Sequence, residues 1–213
     1  MSRYETEEEQ VEAFKKWWNK NGTQLLTAIL VVVVAVGGWR YWSNSQYVAS
    51  ANASATFEML QAYDQNNNFG EVATKALKLM ADEPKSPYAS GAALMHAQYS
   101  YKKGEVDQAL NDLSWVLEHA EDKSIKVVAL TRLARIYLDQ NRLDDVKAQF
   151  NALNQLTLNE VEKANIAYIK GLTALKEDNQ QAAVEAFTEV VENSQADQGL
   201  LGLARIQLDD LAQ

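Results

Sequence analysis

Two patterns of apolar residues divide the chain. Between Lys20 and Arg40 lie 19 residues without a charge, and from Leu25 to Val36 almost every position is apolar, so a helix here has no polar face for water. From residue 50 onward the apolar positions follow a helical rhythm instead, and that rhythm repeats. Leu60, Ala97, Ala134 and Gly171 are spaced by 37; so are Val72, Ala109, Val146 and Ala183. Two further series run through Ala76, Leu113, Phe150 and Phe187, and through Leu79, Val116, Leu153 and Val190. Four series at one period predict four stacked helical hairpins, although heptad-like spacing in four unrelated hairpins imitates a weak repeat.

These series fall where a tetratricopeptide repeat places a small residue on helix A and larger apolar residues in the groove against helix B. The third repeat is the clearest, with Leu130, Leu133, Ala134 and Tyr137 on helix A, a turn at Gln140-Asn141, and Val146, Phe150 and Leu153 on helix B. Gly104 ends a helix in the second repeat, and Pro84 stands where the first repeat closes. Leu203-Ala204-Arg205-Ile206 copies Leu133-Ala134-Arg135-Ile136 and predicts a terminal capping helix. Because the period exceeds the usual one of about 34, either each connection is longer or one helix gains most of a turn. Leu60 occupies a small-residue position, which predicts irregular packing in the first repeat.

The uncharged stretch reaches about 28 Å as a helix, enough to cross the hydrocarbon of a bilayer. Trp17 and Trp18 before it and Trp39, Tyr41 and Trp42 after it are placed as membrane-interface belts. A cleaved signal peptide is the competing reading, since Ala49, Ala51 and Ala53 have the required small-residue spacing, but they lie more than ten residues beyond the apolar run. Lys15, Lys16 and Lys20 flank its N-terminal side, whereas Arg40 is the only basic residue between it and Lys75. That asymmetry predicts a cytoplasmic N-terminus and a C-terminal part outside the cytoplasm. Thr6 and Glu9 fit a capping box for a short interfacial helix bearing Val11, Phe14 and Trp18 on one face.

Composition narrows the function. Two prolines and nine glycines in 213 residues are too few for a turn-rich β protein. With no cysteine there is no thiolate chemistry, disulfide or lipidated N-terminal cysteine. The two halves of the charge balance differ: residues 1–42 carry five charges of each sign, leaving 15 basic and 24 acidic side chains beyond them. An acidic domain repels phosphate backbones, so nucleic acid is not an expected partner. His96 is placed on a packed helical face and His119 in the last turn of a helix; no metal, cofactor or catalytic constellation is predicted, and the protein reads as a non-enzyme.

The fold class is therefore all-α: a single N-terminal transmembrane helix, then a tetratricopeptide-like helical-hairpin solenoid of about four repeats plus a capping helix. The expected boundaries are residues 1–20 for a cytoplasmic leader, 21–42 for the membrane helix, 43–51 for a linker and 52–213 for the repeats. Candidate partner-binding residues on the inner, helix A face are Phe57, Leu94, Gln98, Tyr101, Arg135, Leu138, Tyr168, Leu172 and Leu175. The alternative for each is burial between neighbouring repeats.

The acidic, Trp-containing leader beginning Tyr4-Glu-Thr-Glu-Glu-Glu, the valine-rich anchor ending Gly37-Gly38-Trp39-Arg40-Tyr41, and the repeat bearing Leu133-Ala134-Arg135-Ile136-Tyr137 together resemble the YfgM-type ancillary subunit of the bacterial Sec translocon. The likeness covers the whole chain. It implies a non-enzymatic inner-membrane adaptor with a periplasmic repeat domain, associated with the SecYEG translocon and with a membrane-anchored periplasmic parvulin-type chaperone. It also implies a role in assisting emerging periplasmic or outer-membrane client polypeptides. A membrane-tethered regulator that sequesters a signalling protein through its cytoplasmic leader is the alternative from a different class.

Overall fold

The computed structural model describes residues 7–212. Thr6 and the capping box proposed for it lie outside the described residues. Among those residues the regular structure is entirely helical: α1 (Glu7–Gln65), α2 (Phe69–Asp82), α3 (Pro87–Lys103), α4 (Val106–His119), α5 (Lys123–Asp139), α6 (Leu143–Leu153), α7 (Glu160–Lys176), α8 (Gln180–Glu192) and α9 (Gln198–Leu211). By internal contacts the chain forms two units, one ending at Ala51 and the other beginning at Asn52.

In the first unit, the expected leader helix, membrane segment and linker are all parts of α1. Residues 43–51 are helical because Ser, Ala, Gln and Tyr dominate there and no proline or glycine interrupts them. Among the described residues α1 is the one helix long and apolar enough to cross a membrane. The large side chains of Leu25 to Val36 are exposed on every face, which in water would be unfavourable and in lipid is the matched state. Polar groups near this stretch turn inward: the Thr27 hydroxyl donates to Thr23 O at 2.8 Å, and the Asn21 amide donates to Trp17 O at 3.1 Å. All five aromatic residues assigned to the interface are exposed. Phe14 stacks on Trp17 and Trp18, Trp39 packs on Trp42, and the Trp18 ring lies directly over Gly22, where a Cβ would be 3.0 Å away.

In the second unit, the end of α1 from Asn52 and α2 form the first hairpin, and α3 with α4, α5 with α6, and α7 with α8 form the next three. Helix α9 packs on α8 as a cap. The turns inside the hairpins carry the repeat most plainly. Asn67, Gly104, Asn141 and Asp178, again 37 apart, are the residues with positive φ among those described, at 56°, 85°, 58° and 58°. Each is a left-handed C′ position, and glycine, asparagine and aspartate are the residues that reach it at least cost. Around each, the next N–H reaches back to close a six-residue ring: Asn68 to Tyr63, Glu105 to Ser100, Arg142 to Tyr137 and Asn179 to Ala174, at 2.8–2.9 Å. Connections between hairpins end in N-caps at Ser86, Asp122, Asn159 and Asp197, whose side chains accept from the first-turn N–H groups. The residues in excess of the usual period lie in helix A: α3, α5 and α7 have 17 residues each, against 14 or fewer in α4, α6 and α8.

One expectation needs correction. Leu60 does not pack irregularly; it is fully buried against Val72, Ala76 and Leu79, because the facing helix B residue is the small Ala76. The Leu203-Ala204-Arg205-Ile206 segment lies in α9, the expected cap, but in a different phase from its third-repeat copy. Leu133 lies ten residues after the start of its helix and Leu203 only five, so Leu133 and Ile136 are buried while Leu203 and Ile206 are about half exposed.

Candidate binding groove

The A helices of successive repeats touch one another, α3 against α5 and α5 against α7. Between α3 and α5 opens a cleft of about 390 Å³ whose walls include Gln98, Tyr101, Arg132, Arg135 and Asp139. A second cleft of about 250 Å³ lies between α5 and α7, with Val128, Thr131, Glu162 and Asn165 in its walls, and it shares Arg132 and Arg135 with the first. The two arginines stand between them because positions 132 and 135 are three apart, on one side of α5.

Of the nine candidates, the structure brings Gln98, Tyr101 and Arg135 together, all exposed, around the first cleft. The other six are spent wholly or partly on packing. Leu138 is buried among Ala134, Val146 and Ile169, which removes it from the binding surface. Phe57 lies on Gly91 of the next A helix, where a Cβ would be 2.9 Å from the ring, and its centroid is 5.8 Å from that of Tyr88. Leu94 packs half-buried beside Ala93 and Ala97, and Tyr168, half-buried, sets its ring 5.6 Å from Phe187. Leu172 and Leu175 pack around the same fourth-repeat core. Apolar residues at these six positions are drawn into packing within or between repeats, and the exposed candidates are Gln98, Tyr101 and Arg135.

Sequence reasoning missed Arg132 and Asp139. The Arg132 guanidinium donates to Leu94 O at 2.8 Å, tying α5 to α3. Burial, then the neighbouring charge of Arg135, pushes its pKa below the ordinary arginine value. The Tyr101 hydroxyl donates to the Asp139 carboxylate at 2.5 Å. That hydrogen bond, then burial, then the Asp139 charge, raises the phenol above its ordinary value of 10.0. Since the folded-state value is the higher one, the contact contributes in full below pH ~10 and is lost as the pH rises through the raised value. In a spectrophotometric titration, Tyr101→Phe should therefore remove a phenol that ionises above the ordinary range.

A second polar cluster lies away from the groove, between α3 and α4. Asp112, 2% exposed, meets His96 Nδ1 at 2.7 Å and accepts from the Gln108 amide at 2.8 Å. His119 Nδ1 lies 2.9 Å from Trp115 O, and its ring stacks on Trp115 at 4.1 Å. Among the described residues no group of three or more His, Cys, Asp or Glu is arranged to hold a metal ion.

A family model described as a tetratricopeptide repeat-like domain matches residues 15–213. The chain is 30% identical over 187 residues to the ancillary SecYEG translocon subunit of Escherichia coli strain K12, covering 88% of each chain. It is 26% identical over 206 residues to the protein of the same name from Haemophilus influenzae, covering 96% of this chain and 97% of the relative. With that of Neisseria gonorrhoeae it shares 24% identity over 213 residues, 99% of this chain and 100% of the relative.

Proposed function

This chain belongs to the tetratricopeptide repeat-like family of ancillary SecYEG translocon subunits, and from that premise we propose that it is a non-enzymatic adaptor anchored beside the SecYEG channel. The observation that carries the reading is the extent of the likeness: it takes in the apolar part of α1 as well as the repeats, so anchor and scaffold go together. Lys15, Lys16 and Lys20 on one side of the apolar run against Arg40 on the other support a cytoplasmic N-terminus and a periplasmic repeat domain at the inner membrane. The groove on the A helices is the surface for partners, among them a membrane-anchored parvulin-type chaperone and polypeptides leaving the channel. Tethering in the membrane raises the effective concentration of such partners, so weak groove contacts suffice once the anchor is in place.

A reporter active only in the cytoplasm, fused after Gln213, should be silent; strong activity overturns the orientation. Crosslinking mass spectrometry on the complex purified in mild detergent should join the repeat domain to SecYEG and the chaperone. Crosslinks confined to a cytoplasmic signalling protein at the N-terminal segment would overturn the adaptor reading.

A further inference from the structure

The two clefts meet at a pair of guanidinium groups that no carboxylate among the described residues contacts directly. Asp139 and Glu162 are the carboxylates in the cleft walls, and each is engaged elsewhere. Asp139 accepts the Tyr101 hydroxyl, and Glu162 accepts the Asn159 N–H at 2.8 Å in the capping box that starts α7. Among the described residues neither Arg132 nor Arg135 has a carboxylate within ion-pair distance. Arg132 uses one N–H on Leu94 O and retains the other donors of its guanidinium fork. An arginine stays charged even when partly desolvated, so two like charges stand side by side on α5, one half-buried and one exposed. This happens in a region whose acidic side chains outnumber its basic ones by 24 to 15, so the pair is a local exception to the surrounding field.

We propose that the Arg132–Arg135 groove docks an extended or helical segment of a partner protein in which acidic side chains are flanked by apolar ones. The carboxylates would take the guanidinium forks, for which their planar geometry is matched. Flanking apolar side chains would cover Tyr101 on one side and Val128 on the other, each 38% exposed. The open run from α3 across α5 to α7 suits a polypeptide segment better than an enclosed small molecule. The proposal names the chemistry recognised at the groove of the adaptor reading and rests on it.

The test uses the full chain in detergent and fluorescence anisotropy with two labelled, C-terminally amidated peptides, Ala-Leu-Glu-Phe-Glu-Leu-Ala and the same sequence with Gln for Glu. The Glu peptide should bind about tenfold more tightly in low salt, and the preference should shrink as salt screens it. Arg135→Gln, an exposed change that leaves the Arg132 bond to α3 intact, should remove most of the preference; Arg132→Gln with Arg135→Gln should abolish it. Arg205→Gln, on α9 and outside both clefts, should change nothing. Equal binding of the two peptides, equal loss in the Arg205 variant, or displacement by inorganic phosphate as effective as by unlabelled Glu peptide overturns the proposal. Co-purification of SecYEG with the wild-type chain reads out separately: if it persists while the peptides are not distinguished, the groove proposal fails and the adaptor reading stands.

Discussion

Replacing Asp112 by alanine should destabilise the repeat domain by about 3 kcal/mol. The carboxylate is buried between α3 and α4, where it holds His96 Nδ1 at 2.7 Å and the Gln108 amide at 2.8 Å. Hydrogen bonds to a charged group contribute about 1.5 to 3 kcal/mol each, and truncation also leaves His96 buried without its partner, whereas the exposed Gln108 amide can turn to water. The cost lies in the orphaned His96 more than in the loss of attraction. Buried polar pairs exchanged together for apolar residues are often close to neutral. His96→Leu combined with Asp112→Leu should accordingly stay within about 1.5 kcal/mol of the parent, in spite of the added volume. Urea unfolding of the full chain in detergent, followed by helical circular dichroism, reads both. A loss below about 0.5 kcal/mol for Asp112→Ala would mean that water enters this site and that the pair does not join the helices.

Asp112 also marks what can be read from the sequence. The sequence puts His96 on a packed face but does not point to its partner, because aspartate in a helix normally reads as solvated. The signal was there: Ala109, Leu113 and Val116 define the buried face of α4, and position 112 falls on that same face. An acidic residue at an apolar register position calls for a buried donor on the facing helix. The four-hairpin repeat was legible because burial imposes size and apolarity at fixed positions, and those constraints survive in single residues such as Val72, Ala109, Val146 and Ala183. The turn series Asn67, Gly104, Asn141 and Asp178 carries the same period, yet it escapes a search for one residue type because three different residues satisfy one backbone geometry. The copied Leu-Ala-Arg-Ile marks the terminal cap α9, although identical letters five residues out of phase along their helices sit on different faces.

The groove was harder to read. Repeat positions told which side chains lie on the A helices but not how closely those helices approach, and approach decides whether Phe57 or Leu138 is surface or filling. Arg132 lies at a register position not assigned to the inner face. Its reach to Leu94 O depends on a contact between residues 38 apart.

The packing between helices A and B predicts the other large effect. In the core of each hairpin, residues sixteen apart pack together: Leu60 with Ala76, Ala97 with Leu113, Ala134 with Phe150, and Gly171 with Phe187. The large residue is on helix A in the first repeat and on helix B in the others, so bulk is exchanged across one gap. Gly171 is the limiting case, since a Cβ there would be 2.5 Å from the Phe187 ring, which is wholly buried and has no space to yield. Phe187→Ala should therefore cost about 3 to 5 kcal/mol, as loss of a buried aromatic ring does. Gly171→Ala should cost about 1 to 3 kcal/mol by overpacking, although alanine is the better helix former. Gly171→Ala with Phe187→Leu recreates the Ala97–Leu113 pair, so its loss should be smaller than the sum of the losses of Gly171→Ala and Phe187→Leu measured singly. A double variant whose loss equals that sum in urea unfolding would show that the two residues do not share one space.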